Sequence, residues 1–208
     1  MSADIIDLLA GVTPGSALDE LRGRRPQARE NAQRSFEALL EPAEPGTFPL
    51  AERYAVAAFV ARLHGFGSAA EFYADLLGDE APGLVAAIAA AADGAGGRGP
   101  VGVYREPGLR GEDEPVDPWT AAPEFGVRLA AALTHAHLLV LRPREAGAPA
   151  LQALVDAGWS ADDIVTLSQL VAFLSFQLRL AWGIRAVREH PADGTAVDVV
   201  PSFEGAQR

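Results

Sequence analysis

The segment SADDIVTLSQLVAFLSFQLRLAWGIRAV, residues 160–187, constrains this chain more than any other. A run of this length and apolar content is a helix, and its Leu, Val and Phe density makes it the spine of a hydrophobic core. Ser160 stands three residues before Asp163, a spacing at which a serine side chain caps the first turn, so the helix is expected to begin there. Gly158 ends a shorter helix before it, near Ala148–Ala157.

The rest of the chain repeats this grammar of helices cut by Gly and Pro. Residues 1–48 read as an arm of short helices near Ala3–Ala10, Ser16–Arg22 and Gln27–Leu40 that packs on a neighbour within the chain or across an oligomer interface. Residues 49–93 form a first helical half. Its opening stretch LAERYAVAAFVARLHG puts Leu50, Tyr54, Ala57, Ala58, Ala61 and Leu63 near one stripe, with Glu52, Arg53 and Arg62 as polar interruptions. Further helices follow near Ala69–Leu77 and Gly83–Ala92. Residues 94–121, rich in Gly, Pro and charge, make a connection whose Tyr104 and Trp119 argue for partial packing. Residues 122–188 form the second half, starting with a helix near Pro123–Leu141, and residues 189–208 form a tail with a weak strand-like hint at Ala196–Val200. The expected class is all-α.

A net charge of −11 disfavours nucleic acid and anionic membranes as partners. The amino-terminal run is broken by Asp4 and Asp7 and has no basic leader, so a cytoplasmic location is expected. With no cysteine, the chain has no thiolate nucleophile, disulfide framework or thiolate metal site. Nor does it contain a Walker-type loop, an HExxH pair or a GxSxG elbow, and the glycines from residue 94 follow a helix rather than a strand. No cofactor is expected.

Candidate chemistry therefore rests on a few polar residues. Ser168, Gln169, Ser175, Gln177 and Arg179 interrupt the final helix; they would line a pocket in which Arg179 holds a carboxylate, or serve interhelical hydrogen bonding. His135 and His137 lie two residues apart, about 200° around a helix, so one helix cannot aim both at one ion, and no metal site is expected. His64 is placed in a last helical turn, where an imidazolium would meet the terminal carbonyls. Glu52 and His64 would make an acid and base pair, yet twelve residues separate them by about 18 Å of helix, so different chain halves or subunits would have to complete such a site.

The string AERYAVAAFVARLHGFGSAAEFYADLL, followed by LQALVDAGWSADDIVTLSQLVAFLSFQLRLAWGIRAV, resembles the carboxymuconolactone decarboxylase and alkylhydroperoxidase D-like superfamily over about residues 49 to 187. Ala157-Gly158-Trp159-Ser160, Ile164, Val171-Ala172-Phe173 and Phe176-Gln177-Leu178-Arg179 carry the second match. The resemblance implies a helical bundle with two related halves, homo-oligomers and sites near subunit contacts. Its peroxidase-related members use a Cys-x-x-Cys pair and a following histidine, and here those positions are Phe66, Ala69 and Tyr73. Their relay glutamate falls at about Tyr54, two positions from Glu52. The fold is thus expected without the thiol peroxidase activity.

Two functions are weighed. One is a small-molecule carboxylate binder or non-thiol enzyme, acting by decarboxylation or isomerisation, with a closed apolar cavity lined by Phe66, Tyr73, His135, Gln169, Gln177 and Arg179. The other is a structural partner of a cysteine-containing relative. Outside these two stands direct peroxidase activity, which transfer from the fold would suggest and for which the thiols are absent.

Overall fold

The computed structural model describes residues 4–97, 102–113 and 118–189. Among the described residues the chain is helical without strands: α1 (Ile5–Ala10), α2 (Ala17–Gly23), α3 (Pro26–Leu40), α4 (Leu50–Leu63), α5 (Gly67–Glu80), α6 (Val85–Ala95), α7 (Gly126–Leu141), α8 (Ala148–Asp156) and α9 (Ala161–Glu189). Short 3₁₀ turns opened by Pro82, Pro123 and Pro143 lie beside α6, α7 and α8. The strand-like hint at Ala196–Val200 falls outside the described residues.

The core is built around α4, not α9. Every residue from Arg53 to Ala61 is buried, and α5, α6, α7 and α9 all pack on this one helix. Alanines at 55, 57, 58 and 61 explain how: small side chains leave room for neighbours on every side, while Val56, Phe59 and Val60 fill the space between them. By contrast α9 is buried along one side only, and its Phe176, Trp182 and Val187 are about half exposed. Helix length drew attention to α9, whereas complete enclosure belongs to the shorter, alanine-rich helix. Both the stretch Pro123–Leu141 and α9 are long and apolar enough by composition to cross a membrane, and each has a face packed in the bundle as core helices do.

Arg53 departs from its expected role as a polar interruption on α4. It is buried, and its guanidinium donates to the carbonyls of Phe48, Leu39 and Pro45 at 2.7, 2.7 and 3.3 Å while lying 4.5 Å from the Phe48 ring centre. The charge is thus taken up by carbonyls of α3 and of the loop that leads into α4.

The amino-terminal arm packs within its own chain, on α9. Ile5, Ile6 and Leu9 are buried, each contributing about 1.5–3 kcal/mol by transfer from water. Asp4 caps α1 by accepting from the Asp7 amide at 2.9 Å, and Ser16 caps α2. Arg22 bridges Asp4 and Asp7 at 2.6 and 2.8 Å, and Arg29 reaches Asp7 and Asp19, so these three helices share one ion network. At the far end of the chain, Arg188 donates to the carbonyls of Ala10 and Gly11, both at 3.0 Å. Gly11 has φ +66°, the left-handed region that favours glycine, and a Cβ there would lie 2.6 Å from the Arg188 guanidinium, which would have to move off its two carbonyls.

Between α6 and α7, the described aromatic residues Tyr104 and Trp119 are packed. Trp119 stacks on Phe59 of α4 at 5.2 Å between ring centres and lies 5.1 Å from His137, while Arg144 sits 3.9 Å over Tyr104.

Candidate functional site

The two ends of α4 hold different polar assemblies, and the candidate residues divide between them. Near its start, Arg128 of α7 places its Nε 3.1 Å from both carboxylate oxygens of Glu52. The same guanidinium donates to the carbonyls of Gly158 and Thr47 at 3.0 and 2.8 Å, approaches Asp163 at 3.5 Å and lies 4.0 Å from the Trp159 ring centre. Trp159 returns its indole N–H to the Arg128 carbonyl, and Thr47 donates to Asp163 at 2.7 Å. Burial pushes the Glu52 carboxyl up against the opposing pull of Arg128. Burial acts the same way on Asp163, but the Thr47 and Ser160 hydroxyls and Arg128 outweigh it and hold that carboxyl low. Glu52 is therefore committed to joining α4, α7 and α9, and it does not meet His64.

At the other end, Gly65 at φ +66° turns the chain out of α4, and Phe66 leads into α5. His64 lies 3.3 Å through its Nε2 from the Ser175 hydroxyl of α9. Burial and the positive charge of Arg179 lower its pKa to about 4, so the imidazole is neutral at pH 7. The imidazolium expected at a helix terminus is thereby corrected: too little water reaches the ring, and a guanidinium rather than a carboxylate is nearby. Phe66 packs edge-on against Trp182 at 5.6 Å. His64, Phe66, Arg179 and Trp182, with Leu178 and Gly183, line an open cleft of about 200 Å³. Arg179 also borders an open groove of about 830 Å³ that passes Ser168, Ala172, Ser175 and Phe176 and meets Val140 and Pro143 across from them. Among the described residues the Arg179 side chain has no hydrogen bond or ion pair, and it is exposed.

The single closed cavity expected from the sequence is not assembled. Tyr73 and Gln177 are fully buried and face each other, the phenol donating to the amide oxygen at 2.5 Å, which leaves no room for a ligand between them. Burial pushes the Tyr73 pKa far up, so it stays a neutral donor. Gln169 points to solvent instead of inward. His135 is buried on α7 with neither ring nitrogen hydrogen-bonded, and burial lowers its pKa; it lines neither the cleft nor the groove. Of the proposed lining only Phe66 and Arg179 share a cleft, with His64 beside them. Ser68 and Arg185 stand at the same corner, Arg185 lying 5.5 Å from the Phe66 ring centre.

Trp182 and the pairing of His64 with Ser175 escaped the sequence reading. Their signal was present in the spacing: Ser175, Arg179 and Trp182 stand at i, i+4 and i+7, one face of a helix. That face is the one α9 turns toward the end of α4.

No protein-family model, no curated protein and no solved structure matches this chain. Among the described residues, the fold and site define an all-helical protein with an aromatic-walled cleft beside a guanidinium that has no hydrogen-bond or ion-pair partner.

Proposed function

We propose that this chain binds a small organic carboxylate in the cleft formed by His64, Phe66, Arg179 and Trp182, without thiol chemistry. One observation carries the reading: Arg179 reaches the cleft with no acidic partner among the described residues, while Arg128, at the other end of α4, is fully engaged. A planar guanidinium beside apolar aromatic walls suits a carboxylate on a flat or apolar body. Ser175 and the neutral His64 supply hydrogen-bonding groups alongside.

This reading also agrees with the resemblance to carboxymuconolactone decarboxylase and alkylhydroperoxidase D-like proteins, since Phe66 occupies the position of their first thiol and borders the cleft. It favours binding over proton abstraction. A base with a pKa of about 4 lies far below the neutral range in which general bases work best. The chain also contains no lysine, so Schiff-base chemistry is closed to it.

Calorimetric titration with benzoate and with its neutral analogue benzamide tests the proposal. Benzoate is expected to bind more tightly, and Arg179→Leu to weaken it at least tenfold while unfolding remains cooperative. Equal binding of the two ligands, or an unchanged affinity in the variant, would remove Arg179 from the role.

A second reading, association with another chain, is favoured by one face of α9. Ala172, Phe176, Trp182 and Val187 are exposed along the same helix that borders both the cleft and the groove. Native mass spectrometry distinguishes the partners: a homo-oligomer supports self-association, whereas a second, cysteine-bearing chain supports the partner role. A monomer at micromolar concentration would refute both.

A further inference from the structure

A separate groove lies where the amino-terminal arm meets the end of α9. It has a volume of about 330 Å³ and is lined by Leu18, Leu21, Ala28, Leu180 and Ile184. Four arginines border it: Arg22, Arg24, Arg25 and Arg29. Two of them are already occupied, Arg22 by Asp4 and Asp7, and Arg29 by Asp7 and Asp19. The other two differ. Among the described residues the Arg24 and Arg25 side chains have no hydrogen bond and no acidic partner, and both are exposed.

This juxtaposition is selective. An apolar floor alone would take any hydrocarbon, and unpaired arginines alone would take any anion; together they ask for one molecule with a charged head and a hydrocarbon tail. Arg22 and Arg29 tie α2 to α1 and α3 through Asp4, Asp7 and Asp19, and α1 and α3 pack on α9, so the unpaired arginines stand on a fixed frame. That spares the ligand the cost of ordering the arm. The volume is at the lower end of small-molecule sites, which points to a single chain of medium length rather than a two-chain lipid. We infer that this groove is a binding site for a free, single-chain amphipathic carboxylate, with the tail along Leu18, Leu21, Leu180 and Ile184 and the head between Arg24 and Arg25. The inference is independent of the cleft at Arg179, which none of these arginines borders.

The test is titration calorimetry of the whole protein with decanoate below its micellar concentration, with decanol and acetate as probes lacking head charge and tail. Decanoate is expected to bind at least tenfold more tightly than either. The double variant Arg24→Ser, Arg25→Ser should weaken decanoate at least tenfold, Ala28→Trp should block it by filling the groove, and Arg179→Leu should leave it unchanged. A loss confined to Arg179→Leu would place the binding in the other cleft and overturn the inference. So would decanoate binding untouched by the Arg24, Arg25 and Ala28 changes, or no binding at all. If Ala28→Trp instead lowers the oligomeric mass while decanoate fails to bind the parent, a second copy covers the groove and the inference also falls. Adsorption to phosphatidylglycerol vesicles without response to free decanoate would show a surface patch, and would overturn it too.

Discussion

The two ends of α4 make the instructive comparison. At the start, Arg128 spends its donors on Glu52, Thr47 and Gly158 and stacks on Trp159; at the end, Arg179 spends none among the described residues. Both arginines face a helix junction, and both neighbour an indole. They differ in whether carboxylates and carbonyls were provided. A guanidinium whose partners come from three other parts of the chain acts as a fastening, and one left beside a cleft remains available to a ligand.

The largest effect that would break this comparison is expected at the fastened end. Arg128→Leu leaves Glu52 and Asp163 without their shared cation, and the loss should be about 3 kcal/mol by urea denaturation. Adding Glu52→Gln should restore part of it. A loss below about 0.5 kcal/mol, the range of ordinary surface changes, would show that the cluster is a solvated surface pair after all.

Acid should expose the opposite end. His64 has a folded pKa of about 4 against an unfolded value of 6.5, so the native state binds fewer protons. Its contribution is therefore fully present above about pH 6.5 and is lost as pH falls toward 4. The loss should be on the order of 2 kcal/mol, and His64→Phe should flatten the stability profile across that window. His135 and His137 shift in the same direction, both chiefly by burial. An unchanged slope in His64→Phe would assign the window to them.

Between the ends lies the closed pair. The Gln177 amide nitrogen is already buried without a hydrogen-bond partner among the described residues, and Tyr73→Phe takes the partner of the amide oxygen as well, at an expected cost of about 1–2 kcal/mol that adding Gln177→Leu should mostly recover. Full additivity of the two changes would mean that the pair is not coupled. Smallest of all should be Arg179→Leu, within about 0.5 kcal/mol of the parent by thermal unfolding. A larger loss would make Arg179 a fastening as well.

The helices were legible because their punctuation is local. Pro26, Pro123 and Gly158 mark boundaries that the structure keeps, and Ser160 does cap α9, accepting from the Asp163 amide at 3.1 Å. The site was less legible because it depends on which face of each helix meets which neighbour. Gln169 and Gln177 look alike in a string, yet one faces water and the other is completely buried. Arg53 shows the same limit. Nothing in its immediate neighbours announces that carbonyls from residues 39, 45 and 48 will surround it, since that depends on how the preceding loop folds. The enclosure of α4 was similarly hidden, because an alanine-rich helix shows little contrast between its faces.

The clasp of Arg188 on Ala10 and Gly11 joins residues 178 and 177 positions apart along the chain. α1 thus cannot complete its contacts until α9 has been made, and its buried Ile5, Ile6 and Leu9 lack that cover until then. A contact that closes so long a stretch of chain carries a high entropic cost before it is rewarded, so the seam between α1 and α9 is expected to form late in folding.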